Sequence, residues 1–93
     1  MSLVVSNENG TITVPGSVLV GIAVRAAEQV DGIKVRRRRT VDVENRSVRL
    51  SVAARRGMPL LELAREAQAQ VIAAFEASCG IEPTVDVSIG ELE

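Results

Sequence analysis

"TVDVENRSVRLSVAAR", residues 40–55, alternates apolar and polar side chains on both sides of Asn45-Arg46. A period of two marks strands with one buried face. Placing the turn at Asn45-Arg46 sets Val43 opposite Val48, Val41 opposite Leu50 and Asp42 opposite Arg49. The apolar pairs then share one face and the opposite charges share the other, as an antiparallel sheet with one wet face requires. Asn45 suits the turn because asparagine tolerates positive φ. This hairpin predicts a sheet covered on one side only.

The flanking segments supply the cover. "TITV", residues 11–14, follows the turn signal Asn9-Gly10 and predicts a short strand. Pro15 fits the first position of a helix, where a missing N–H costs nothing. At 100° per residue, Leu19, Val20, Ile22, Ala23, Val24, Ala26, Ala27 and Val30 fill an arc of about 200°. A helix lying on one sheet needs about half that width. The excess, chiefly Val20 and Val24, marks either a second association surface or a face covered by neighbouring loops. Asp31-Gly32 predicts the end of this helix. Gly57-Met58-Pro59 introduces a second helix running to Cys79, with Gly80 as its stop. Its stripe of Leu60, Leu63, Ala64, Ala67, Val71, Ala74 and Phe75 is about 120° wide, a core-facing helix in which Phe75 is packing. After Pro83, "TVDVSI" turns Val85, Val87 and Ile89 inward and predicts the last strand.

The order β-α-β-β-α-β and two helices with apolar stripes predict an α+β two-layer sandwich. Both helices lie on one face of a mostly antiparallel sheet, with ferredoxin-like connections as one route. The 93 residues make a single domain, with patterned sequence over about residues 10–90.

Composition narrows the chemistry. The chain has no His, Trp or Tyr, and Phe75 is its only aromatic residue. The commonest general base, the commonest metal ligand and the stacking platforms for bases are thus missing. Cys79 is the only cysteine, which excludes an internal disulfide and a cysteine-built metal site, and its place at the negative end of a helix makes it inert. The expectation is a protein with no catalytic residues and no metal site, paired carboxylates being the one catalytic chemistry left open. The longest apolar stretch, residues 18–24, is interrupted by Gly21 and far shorter than the ~20 residues that span a bilayer. Nothing near Met1 has the order of a signal peptide, so the expected location is cytoplasmic.

Charge is unevenly distributed. Residues 34–56 carry a balance of +7 and the remainder −8, within a formal total of −1. The centre of the positive segment is the run Arg36, Arg37, Arg38, Arg39. On a continuous strand Arg37 and Arg39 would share the core side with Ile33, Val35, Val41 and Val43, and burying two unpaired guanidinium groups is very costly. The strand must therefore break, bulge or leave the core at residues 36–39, beside residues 52–55. The expected product is a surface basic cluster of Arg36, Arg37, Arg38 and Arg39 with Arg55 and Arg56. One reading is a solvated edge that discourages strand-to-strand aggregation. Others are a patch for an acidic protein surface, including a second copy of the chain, or for anionic lipid headgroups. The missing aromatics and the absence of a Gly-x-x-Gly loop weigh against nucleic acid. A small-molecule regulatory domain is the alternative from another class, since folds of this order bind ligands at sheet edges.

The series Gly10-x-Ile12-x-Val14-Pro15-x-x-Val18, Ile22-Ala23, Ala27 and Val30-x-Gly32-Ile33 is followed by Gly57-x-Pro59, Leu63-Ala64-x-x-Ala67-Gln68, Val71, Gly80-Ile81 and Val85-x-Val87. Together these resemble the alkaline shock protein 23 family of envelope stress response proteins, found mainly in Gram-positive bacteria. Arg56-Gly57 stands where that family often has Tyr-Gly, and "IKVRRRRT" compresses its most variable segment. The resemblance implies a non-enzymatic, cofactor-free protein of cell-envelope homeostasis. It also implies self-association as a homo-oligomer and attachment to the inner face of the membrane through a membrane-anchor protein. It implies no role for the arginines.

Overall fold

The computed structural model describes residues 2–93, the side chain of Arg38 excepted. The hairpin forms as its alternation dictates. Strands Val41–Glu44 (β4) and Ser47–Ala54 (β5) pair antiparallel, with Val43 opposite Val48, Val41 opposite Leu50 and Asp42 opposite Arg49. Asn45 turns the chain at φ 55°. Val41, Val43, Val48, Leu50, Val52 and Ala54 are all buried.

Two helices cover that face. α1 spans Gly16–Ala27 and α2 spans Leu60–Cys79. Pro15 caps α1 rather than opening its first turn, and the helix ends at Glu28, a turn earlier than Asp31-Gly32. Gln29 and Val30 instead donate to Ala26 and Ala27, tightening the exit so that Val30 is buried. α2 ends as predicted: Gly80 adopts φ 69° and returns its N–H to the Glu76 carbonyl, a left-handed cap that a Cβ would strain. Leu63, Ala67, Val71 and Phe75 form its buried stripe, with Phe75 fully enclosed. The helices run antiparallel. A Cβ at Gly32, just past α1, would stand 3.2 Å from Met58 Cε and 3.5 Å from Leu63 Cδ1 at the start of α2.

The sheet has four strands but is three positions wide. β3 (Ile33–Lys34) and β4 pair with successive stretches of one edge of β5, and β6 (Thr84–Leu92) runs parallel along the other. Val85 is buried and Val87 and Ile89 half-buried on the helix side, while Asp86 and Ser88 face solvent. Gly90 forms a bulge where Ile89 pairs with Val52 but Glu91 pairs with Ala53. A Cβ there would lie 2.9 Å from Ser51 Oγ, so a side chain at this position requires that hydroxyl to turn away.

The α+β architecture with both helices on one sheet face is as expected, but the element order is β-β-α-β-β-β-α-β. Ile33–Lys34 counts as a separate strand, and residues 2–7 add one that composition did not flag. The ferredoxin-like connections do not form. They would insert the "TITV" strand into the sheet, whereas β6 pairs directly with β5. Instead Gly10–Pro15 (β2) pairs with Ser2–Asn7 (β1) in a separate antiparallel hairpin. This arm makes the molecule long. Its principal extents are 51 × 21 × 16 Å, whereas a 20-residue helix such as α2 spans about 30 Å. The arm's six-residue strands supply the remaining ~20 Å.

Candidate interaction surfaces

The arginine run leaves the sheet, as its cost of burial demands. Lys34 pairs with Ala53 and Val41 with Leu50, so six residues on one side pass two on the other. The excess forms a loop closed by a 3₁₀ turn at Arg38–Thr40. Thr40 anchors it: its N–H donates to the Arg37 carbonyl, and its hydroxyl lies 2.7 Å from that oxygen and 3.0 Å from the Ser51 carbonyl. The run therefore sits beside residues 51–53, slightly before the predicted 52–55.

Its charge is partly answered within the chain. Arg36 spans the open sheet face to reach Glu91 at 3.2 Å and Glu93 at 2.6 Å. Arg55 meets Asp31 at 3.1 Å, and the Arg56 N–H donates to the Glu93 carbonyl. Arg36 alone meets the acidic side chains at 91 and 93, Arg55 is answered by Asp31, and the Arg56 contact is main chain to main chain. Arg37 and Arg39 are exposed and form no ion pair among the described residues. The side chain of Arg38 lies outside those described. Residues distant in sequence thus answer part of the charge of the expected cluster, at Arg36 and Arg55. Arg36 and Glu91 also line a depression over Ala53, which is buried although it faces outward.

The rest of the open sheet face alternates in sign. Arg49 stands between Asp42 of β4 and Asp86 of β6. The register is the predicted one, yet no ion pair closes there among the described residues. Arg39, Thr40, Asp42, Arg49, Asp86 and Ser88 border a depression open to solvent. Among the described residues no charged side chain is buried and no group of His, Cys, Asp or Glu is placed to hold a metal. No helix among them is long and apolar enough to cross a membrane.

Exposed apolar side chains lie at the start of α2, where Leu61 is 66 % exposed beside Leu60, at Leu92, and around the arm. Val20 and Val24 are half-buried and pack against the core, so the wide arc of α1 is largely spent inside the molecule. The exposed residue at the start of α1 is Val18, at 48 %. Next to it is the arm, where Leu3 opposes Val14 and Val5 opposes Ile12. Strand alternation puts these four on one face and Val4, Ser6, Thr11 and Thr13 on the other. Leu3 and Val14, at the base, pack against the core. Val5 and Ile12 lie farther out and are 38 % and 56 % exposed. The arm was legible in principle: two β-branched runs flank Asn7 to Gly10, with Asn9 donating its N–H to Asn7 Oδ1 at 2.8 Å. The partner strand is the weaker signal, because "SLVVS" carries only one strong alternating pair.

In comparisons with known proteins, the chain matches no family model, no curated protein and no solved structure.

Proposed function

We propose that this chain is a non-enzymatic interaction and self-association module of cell-envelope homeostasis, held at the membrane by an anchor protein. The observation that carries the self-association is the arm. Its apolar face extends beyond the body, with Val5 and Ile12 having little of their own chain to cover them. A two-stranded hairpin alone is marginal in water and gains stability when its apolar face is covered. The envelope role rests on the resemblance to alkaline shock protein 23 proteins in the ordered pattern from Gly10 to Val87. The exposed Arg37 and Arg39 supply a patch for an acidic partner surface.

Sedimentation velocity over a wide concentration range tests the association. The sedimentation coefficient is expected to rise with concentration, and a strictly monomeric chain overturns the reading. Co-purification from membranes tests the anchor in parallel. Wild type is expected to retain a membrane protein that a variant with reversed charge at Arg37 and Arg39 loses.

A further inference from the structure

The two edges of the sheet differ. One is interrupted by the arginine loop, and a broken, charged edge resists strand addition. The other is the outer edge of β6, which pairs only with β5 among the described residues. Thr84 directs its N–H to Arg46 on the β5 side. Alternation then points the main-chain groups of Val85, Val87 and Ile89 outward. Gln68 Nε2 donates to the Val85 carbonyl at 2.8 Å, taking one of these groups. Those of Val87 and Ile89 remain available to another strand.

The arm has the form such an edge accepts. It is two-faced, apolar with Leu3, Val5, Ile12 and Val14 and, Val4 excepted, polar with Ser6, Thr11 and Thr13, as β6 is apolar toward the helices and polar on its other face. Its strands of about 20 Å fit within the roughly 30 Å of nine-residue β6. Its position also suits the match. α1 packs toward β4 and α2 toward β6, and the antiparallel helices put the start of α1 at the end where β6 begins. The arm thus leaves that end on the β4 side. A twofold axis normal to the sheet, passing through that end, lays each arm along β6 of a second copy.

We propose that two copies exchange arms in this way, each β1–β2 hairpin adding to the outer edge of the other's β6. The inference rests on the self-association reading and names its contact. One contact is about 20 Å long and about 10 Å deep, or roughly 200 Å² on each copy. Two reciprocal contacts bury on the order of 800 Å² in total, short of the ~1,200 Å² of stable interfaces. The dimer is therefore weak and needs both arms, since a single contact buries half as much. Glu8, in the turn, is the only charged side chain of residues 2–15, so the association depends little on salt. Contact through the arginines would weaken steeply as ions screen it.

Sedimentation of the full chain in low and high salt, with two arm variants, tests the proposal. Val5→Lys with Ile12→Lys places charges on the apolar face at exposed positions, so the melting temperature of the monomer should hold. Kd is expected to rise by about tenfold or more, because ammonium groups resist desolvation. Val4→Lys with Thr13→Lys, on the opposite face, is expected to leave dimerisation intact. In a Cys79→Ser background, a Val5→Cys chain mixed with a Val87→Cys chain should be joined by a short bismaleimide. Cross-linking only between Val5→Cys chains overturns the exchange in favour of arm-to-arm stacking. Association unaffected by the Val5 and Ile12 substitutions, or abolished by salt, overturns the exchange while leaving self-association standing. A monomer under all conditions overturns both.

Discussion

Phe75→Ala is the substitution that most directly probes how this core is held. Phe75 is the only aromatic residue of the chain and is 0 % exposed on the buried stripe of α2. It lies one turn beyond Val71, which is also 0 % exposed, in the layer between helices and sheet. The surrounding core is mostly valine and alanine, short or stiff side chains that can move little to fill a void. Removing a buried phenyl ring costs about 3–5 kcal/mol, and a rigid lining puts the value toward the upper end. A domain of this length holds about 5–14 kcal/mol in all. At about 4–8 °C per kcal/mol, the midpoint should fall by some 15–40 °C. Far-UV circular dichroism during urea and thermal unfolding is the assay, because without Trp or Tyr the helices provide the useful signal. Glu76→Ala, at the exposed neighbouring position, is the control and should stay within about 0.5 kcal/mol of wild type. A loss below about 1.5 kcal/mol for Phe75→Ala would refute the placement of this ring in the main core.

Two further outcomes follow from local geometry. Gly90→Ala should cost about 1 kcal/mol or less, since the new Cβ meets only the rotatable Ser51 hydroxyl. Adding Ser51→Ala should recover the loss, and a double-mutant cycle without coupling would contradict the contact. Arg36→Ala should cost under about 1 kcal/mol, because its side chain is 53 % exposed although paired with both Glu91 and Glu93. That difference should shrink in high salt; a large, salt-independent loss would mean that Arg36 acts through packing over Ala53 instead.

Local pattern was sufficient wherever it determined its own environment. The register of residues 41–50, the stripe of α2 from Leu63 to Phe75, the Gly80 stop and the inward row Val85, Val87, Ile89 follow from periodicity and turn chemistry, whereas Leu60, expected in that stripe, is exposed in the first turn of the helix. Each depends on neighbours a few residues away. The exclusion of residues 36–39 from the sheet was equally legible, because no arrangement of that strand buries Arg37 and Arg39 cheaply. The candidate surfaces were less so. The wide apolar arc of α1 left Val20 and Val24 open between an association surface and cover by neighbouring loops, and only the folded chain shows both half-buried against the core. The expected basic cluster of Arg36 to Arg39 with Arg55 and Arg56 was read from local charge alone, whereas the acids that answer Arg36 and Arg55, namely Glu91, Glu93 and Asp31, are brought near only by the folded chain.

The sequence by itself determined the elements, their apolar faces and a sheet with one wet side. Tertiary structure decided which strands belong to that sheet. β6 could have paired with "TITV" or with β5, and both partners satisfy its alternation equally well. The choice depends on chain connections and on where two helices can close over Phe75, a global packing condition that no local window contains. Its consequence is that β2 is released to pair with β1 outside the body. An arm with an uncovered apolar face and a sheet with a free outer edge are therefore two products of the same pairing decision.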